Sequence, residues 1–282
     1  MQFEFSDEQR AVRDMVARFA RREILPHAAV WDKNQTFPVE LFTKLGDNGI
    51  MGMSVSEQYG GAALDTLSTV LALEELSKAD AGVGVTVSVH AGLITRIIET
   101  FAREEIKRAY LPKMCAGEWL GAFALTEAES GSDASGLRSR ARLQGDHYVL
   151  NGTKQWVTNG GYAKALVVFV RTGEPGPKGI SAFLVDRDTP GLHFSDPISK
   201  LGIHSSNTVD LIFEDAKVPA SHLLSEAGAG YKIALAGLGT GRLGIAAQAV
   251  GILAACLETS QRYARDRFQF GRPIGAFQAV SF

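Results

Sequence analysis

The densest polar chemistry in the chain lies in the run Ala124-Leu-Thr-Glu-Ala-Glu-Ser-Gly-Ser-Asp-Ala-Ser-Gly136. Gly131 and Gly136 allow a close backbone approach, while Thr126, Ser130, Ser132 and Ser135 add hydroxyls and N–H donors, so the loop can cradle an anion such as a diphosphate. Taken alone, the same run also reads as a polar surface turn between a helix and the first strand. A Rossmann-type nucleotide loop does not fit, because no strand–Gly-x-Gly-x-x-Gly–helix context surrounds it. Downstream comes Trp156-Val-Thr158-Asn-Gly-Gly161. An alternating strand puts Trp156 and Thr158 on one face. An indole beside a hydroxyl suits a flat heteroaromatic ring, with the threonine oxygen bonded to a ring heteroatom and the indole covering the ring. Taken alone, Trp156 reads as an ordinary sheet-face core residue.

Other chemistries find little support. His27, His90, His147, His193, His204 and His222 are scattered without a metal-ligand spacing. Cys115 and Cys256 are too few for a disulfide framework, and a reducing compartment follows. With 29 Lys+Arg against 31 Asp+Glu, the net charge of −2 leaves no basic footprint for nucleic acid or an anionic membrane. At 45% hydrophobic and 21% charged the chain is globular, not disordered or fibrous. No stretch approaches the ~20 uninterrupted apolar residues of a membrane span. The N-terminus carries acid where a targeting segment needs base. A soluble, cytoplasmic protein with no nucleic-acid or membrane partner is expected.

Three kinds of hydrophobic period divide the chain. From Ser6 to about Gly117 the period is helical, with Val12, Met15, Val16, Phe19, Ala20 and Ile24 on one stripe. Ser6 and Gln9 have the form of a capping box, and Pro26 is expected to end the first helix. Further helices are predicted from Pro38 to Gly46, around Leu67–Glu75, over Val89–Phe101 and over Glu104–Met114. From Glu118 to about Leu224, turn dipeptides separate short β-prone runs. Turns this close favour an antiparallel sandwich or barrel. From Gly228 one long helix is implied, broken by Gly271 and Pro273. The fold class is therefore α+β and multi-domain. A helical domain spans 1–117, a β domain spans 118–225, and a C-terminal α-bundle starts within 226–282.

Together the two polar clusters resemble the flavin-binding middle domain of the acyl-CoA dehydrogenase family. The likeness rests on Leu125-Thr-Glu, on Gly131-Ser-Asp133 with Gly136, and on Asn151-Gly-x-Lys-x-Trp-x-Thr-Asn-Gly160. Lys200-Leu-Gly-Ile-His-Ser-Ser-Asn-Thr-Val-Asp-Leu211, Asp215-Ala-Lys-Val-Pro219, Gly230-Tyr, Arg242 and Arg267-Phe-Gln-Phe-Gly271 continue it in one register, from Phe5 to Phe282. The short-chain branch is the nearest likeness, notably at Gly241-Arg-Leu-Gly-Ile-Ala-Ala-Gln-Ala-Val-Gly251. The resemblance implies FAD lying against Phe123, Leu125 and Thr126, with Gly131 in the same loop and Ser132 near the diphosphate and the acyl-CoA. Trp156 and Thr158 would flank the isoalloxazine. Arg267 and Gln278 would reach the FAD of a neighbouring subunit in a homotetramer or homodimer. Arg242 would help hold the thioester end of the substrate.

The reaction implied is α,β-dehydrogenation of a short- or medium-chain acyl-CoA, with a glutamate as base and an electron-transfer flavoprotein as acceptor. Most members of the family carry that glutamate later in the chain than Phe282, and a Gly-rich diphosphate motif also lies there. A minority carry the base one residue before the matched arginine, where this chain has Gly241, and Gly239 stands where an aspartate is usual. No catalytic base is therefore expected among these residues, and the chain is expected to be C-terminally incomplete. Glu127 and Glu129 are read as loop polarity. The alternatives are a flavin oxidase or monooxygenase relative, and a non-catalytic FAD-containing binding protein.

Overall fold

The computed structural model describes residues 4–282; the first three residues of the acidic N-terminus lie outside the described part. The helical layer contains α1 (Asp7–Glu23), α2 (Leu25–Asn34), α3 (Val39–Asp47), α4 (Thr66–Ala79), α5 (Ala81–Val89), α6 (Thr95–Phe101) and α7 (Glu104–Cys115). Ser6 and Gln9 form the reciprocal capping box at the start of α1. Val16, Phe19 and Ala20 of its stripe are buried against Leu41, Phe42 and Leu45 of α3 and Leu73 and Leu76 of α4. Each large apolar side chain so buried stabilises the fold by roughly 1.5–3 kcal/mol.

Two helical boundaries differ from expectation. Pro26 does not simply end a helix. It sits in the first turn of α2, where its missing N–H has no partner to lose. The segment predicted from Val89 begins at Ala81 instead and passes through one π-turn, His90–Ile94, before α6. Ala81–Phe101 is apolar and long enough to cross a membrane by composition alone, yet 78% of its most apolar stretch is buried inside the protein.

The sheet comprises β1 (Leu120–Ala124), β2 (Arg140–Gln144), β3 (His147–Thr158), β4 (Ala163–Arg171), β5 (Ile180–Asp186), β6 (Leu192–Phe194) and β7 (Thr208–Pro219). Its order is β1-β4-β2-β3-β7-β6, with β5 on β4. The predicted antiparallel pairing holds for β2–β3, β3–β7, β4–β5 and β6–β7. β1 instead joins β4 in parallel, because the chain makes a long excursion through β2 and β3 between them. The apolar run of β4 is buried on both faces. Ala165, Val167 and Phe169 pack on the helices, while Leu166, Val168 and Val170 fill the inside of the curled sheet with Leu150, Leu211 and Phe213.

The helical layer and the sheet are tied together at Gly121. The His90 ring, fully buried, takes the Gly121 N–H on Nδ1 at 3.0 Å and reaches the Met114 carbonyl through Nε2 at 3.1 Å. Asn159 Nδ2 donates to the Thr86 and Gly121 carbonyls at 3.1 and 3.2 Å.

The predicted long helix is α8 (Gly230–Asp266), which lies along α4. Gly244 faces Ser88 and Leu73, and Gly251 faces the α4 backbone at Glu74 and Lys78, so a Cβ at either would collide with its neighbour. The helix ends at Asp266, before the expected break at Gly271, and a hairpin of β8 (Phe268–Gln269) and β9 (Arg272–Pro273) follows, turning where Gly271 adopts φ +74°, with α9 (Gln278–Ser281) after it. Leu235, Leu243, Ile245, Val250, Leu253 and Leu257 form an exposed apolar face on α8.

Candidate functional site

The polar loop leaves the end of β1 and returns at β2, and β3 runs beside its entrance. Gln155 N–H donates to the Thr126 carbonyl at 2.8 Å, and Lys154 Nζ donates to the Leu125 carbonyl at 3.1 Å. These two bonds bring the serine-glycine loop and the Trp156–Thr158 strand together on neighbouring stretches of backbone.

A bulge shapes the strand at this point. Lys154 pairs with Leu211 and Val157 with Val209, so Gln155 and Trp156 together oppose the single residue Asp210. Trp156 takes φ +59°, and its N–H is held by Asp210 Oδ1 at 3.2 Å. Lys154 and Val157 are buried, Trp156 is 60% exposed and Thr158 is half-buried. The bulge, which simple alternation does not foresee, leaves the indole exposed and Thr158 half-buried, and the core reading of Trp156 falls away.

Within the loop, Ser130 and Ser135 use their hydroxyls internally, on the Asp133 carbonyl at 2.6 Å and on Asp133 Oδ1 at 2.7 Å. Gly131 and Ser132 are exposed at the tip, and a Cβ on Gly131 would meet no atom. Thr126 is half-buried at the loop entrance. The hydroxyls of Thr126, Ser132 and Thr158 take no part in the bonds that hold the loop and strand, which leaves them available to a ligand. Leu125 is buried in the core shared with the helices, and the half-buried Phe123 ring lies 4.8 Å from Phe169.

The loop is fastened by Glu127, which is more than the loop polarity read from the sequence, together with Lys154 and Arg171. Lys154 is fully buried, and its Nζ meets Glu127 Oε1 at 2.6 Å. Glu127 also accepts the N–H groups of Arg138 at 2.6 Å and Ser139 at 3.0 Å. Burial alone would raise the Glu127 carboxyl, but the Lys154 charge and these hydrogen bonds outweigh it and hold the group below the usual carboxylate range. Burial pushes Lys154 down to about 8, against the pull of Glu127. At 2.6 Å the two groups form a salt bridge. Arg171 braces the loop from β4, with Nη2 on the Ser135 carbonyl at 2.8 Å and Nε on the Leu137 carbonyl at 3.2 Å. Alternation alone gives no signal for Lys154, because it puts position 154 on one face with Trp156 and Thr158 and the bulge turns it inward.

The other predicted residues lie elsewhere. Arg242 is exposed midway along α8, Arg267 is exposed at its end, and Gln278 is exposed at the start of α9. Among the described residues no hydrogen bond joins any of them to the loop. Gly241 borders open space, its nearest neighbour being Leu93 at 4.0 Å from a built Cβ. No group of His, Cys, Asp and Glu side chains among the described residues could hold a metal ion.

Comparison with known proteins shows the family of the chain. The acyl-CoA dehydrogenase N-terminal, middle and C-terminal domains match residues 6–118, 122–216 and 228–282. An acyl-CoA dehydrogenase of Bacillus subtilis (strain 168) is 48% identical over 278 residues, covering 98% of this chain and 73% of the relative. The structure of butyryl-CoA dehydrogenase from Megasphaera elsdenii superposes with a TM-score of 0.97 at 40% identity, covering 100% of this chain and 75% of the other. A glutaryl-CoA dehydrogenase from Mycobacterium smegmatis in complex with FADH2 superposes with a TM-score of 0.93 at 34% identity, covering 98% and 70%. With its helical layer, curled sheet and long C-terminal helix matched in order, this chain belongs to the acyl-CoA dehydrogenase family.

Proposed function

We propose that the chain carries the FAD site of a dehydrogenase that oxidises short- or medium-chain acyl-CoA thioesters across the α,β bond. Its three parts, 1–117, 118–225 and 226–282, divide the work between a helical layer, a cofactor-bearing sheet and a helix that reaches toward a second subunit. The observation that carries this reading is the pair of bonds from Lys154 and Gln155 to the Leu125 and Thr126 carbonyls, which joins the entrance of the serine-glycine loop to the strand that carries exposed Trp156 and half-buried Thr158.

These residues fit FAD in kind. Gly131 and Ser132 offer free backbone and a hydroxyl to a diphosphate, and Thr126 offers a second hydroxyl. Trp156 would cover the isoalloxazine ring and Thr158 would bond its edge. When bound, FAD accepts the hydride that leaves the substrate β-carbon. Hydrogen bonds to the thioester carbonyl would stabilise the negative charge that develops as the α-proton leaves.

The base is the part this site does not supply. Glu127 is engaged by Lys154 and two backbone N–H groups, and Glu129 pairs with Arg138. The bonds of Glu127 hold it to the loop, and Glu129 is exposed in a surface ion pair. Neither is proposed as the catalytic glutamate. Arg242 is placed at the thioester end of the substrate, Arg267 and Gln278 at the FAD of a neighbouring subunit in a homodimer or homotetramer, and an electron-transfer flavoprotein downstream as acceptor.

The test is direct. Titration with FAD should give a protein-bound flavin spectrum, and Trp156→Ala with Ser132→Ala should weaken that binding. The whole protein, loaded with FAD, should bleach on anaerobic addition of butyryl-CoA. Protein that stays colourless through reconstitution refutes the reading, and rapid peroxide release from the reduced form would shift it toward an oxidase.

A further inference from the structure

We propose that Lys154 and Glu127 form a positioning pair whose buried contact sets the shape of the 127–139 loop and, through it, the affinity for FAD. This rests on the flavin reading above. Neither residue touches the exposed tip at Gly131 and Ser132, so their influence would be exerted through the loop and not on the ligand.

The hydrogen bonds form one chain of support. β3 contributes Lys154 from its inward face, where the side chain is wholly screened from solvent. That ammonium grips the loop entrance twice, at the Leu125 carbonyl and at Glu127 Oε1. The same carboxylate then receives the backbone of the loop exit, Arg138 N–H on Oε2 and Ser139 N–H on Oε1. Glu127 thus closes the loop upon itself, and Lys154 fixes that closure to the sheet. Between these ends the backbones of Glu127 and Ser130 exchange N–H···O bonds in both directions, at 3.0 and 3.1 Å, which aims the tip outward.

A second observation supports the clamp. Gly152 of β3 adopts φ +139°, and a Cβ there would collide with the Ser139 side chain and backbone. The strand therefore approaches the loop exit as closely as only glycine permits. Entrance and exit are both drawn onto β3, within three residues of each other along it.

The charges also have a consequence. A fully buried ammonium and a partly buried carboxylate are tolerated because each answers the other, and removal of one leaves the other uncompensated. Removal of both leaves a neutral but slacker loop. The pair should therefore show a coupling in FAD affinity that single substitutions exaggerate.

The experiment uses the full chain, with Glu127→Gln, Lys154→Met and the double variant, titrated with FAD by quenching of flavin fluorescence. Each single variant is expected to weaken the FAD Kd tenfold or more, equivalent to about 1.4 kcal/mol, and the double variant is expected to recover part of that loss. Without FAD, tryptic cleavage after Arg138 should run several-fold faster in Glu127→Gln than in wild type, at unchanged far-ultraviolet circular dichroism. Single variants that bind FAD like wild type overturn the proposal, as does a lowered melting temperature with an unchanged Kd. If Lys154→Met fails to fold, Glu127→Gln, which keeps the side-chain shape, decides alone. Failure of wild type to bind FAD would refute the flavin reading, and the cleavage rate at Arg138 would still judge the clamp.

Discussion

Acidification should unlock the junction between the helical layer and the sheet at His90. The ring must accept the Gly121 N–H on Nδ1, so Nε2 carries the proton that meets the Met114 carbonyl. Only the neutral tautomer satisfies both neighbours, because a proton on Nδ1 would face another N–H. Burial pushes the group from its ordinary 6.5 down to about 4, against the hydrogen bonds that oppose the shift. A base with a depressed folded pKa leaves the unfolded chain binding the extra proton. Stability from this position is therefore complete above pH 6.5 and is lost as pH falls toward 4. The difference of 6.5 − 4 is about 2.5 pH units, which at 1.36 kcal/mol each is roughly 3 kcal/mol. Urea unfolding followed by tryptophan fluorescence at pH 7, 6, 5 and 4.5 would read it, with His90→Gln alongside. The variant should begin less stable at pH 7, since the Gly121 N–H loses its acceptor at a cost of about 1–3 kcal/mol. It should then lose less on acidification than wild type, by close to one proton in the slope. Parallel loss in the two proteins would refute the argument.

Two glycines of α8 should respond oppositely to a single methyl group. Gly239→Ala meets no atom and should raise stability by about 0.5–1 kcal/mol, whereas Gly244→Ala collides with the Ser88 hydroxyl and presses on Leu73, and should cost about 1–3 kcal/mol. Thermal melts of the two variants decide this, and a fall in both would mean that α8 is held in some other way. Asn159→Ala should lower stability by roughly 2–4 kcal/mol in the same assay, because it orphans the Thr86 and Gly121 carbonyls and strains a backbone at φ +68°. Asn159→Gly should recover only the part owed to strain.

What the sequence disclosed divides along the range of the interactions concerned. The capping box at Ser6, the stripe of α1 and the long helix through Leu253 depend on neighbours three and four residues away, and all were legible. The antiparallel character of most of the sheet followed from closely spaced turns. The parallel partner of β1 did not, because a two-residue period says which face is buried and nothing about which strand lies alongside. Pro26 shows a subtler limit. The absent N–H that ends one helix is harmless in the first turn of the next, so the same residue marks either boundary, and packing of the following segment decides which. The candidate site follows the same rule. The residue types of Trp156 and Thr158 were legible, though alternation gives no sign of the bulge that leaves the indole exposed. Glu127 was not, because a glutamate in a polar loop looks ordinary until the lysine that needs it is found on β3. Alternation would put Lys154 on one face with Trp156 and Thr158, and only the bulge turns it inward, where an ammonium demands a carboxylate; the sequence holds 31 acids and gives no measure of which is near. The residues that present a ligand surface can therefore be recognised locally, while those that hold the surface in place become visible only once the chain has folded.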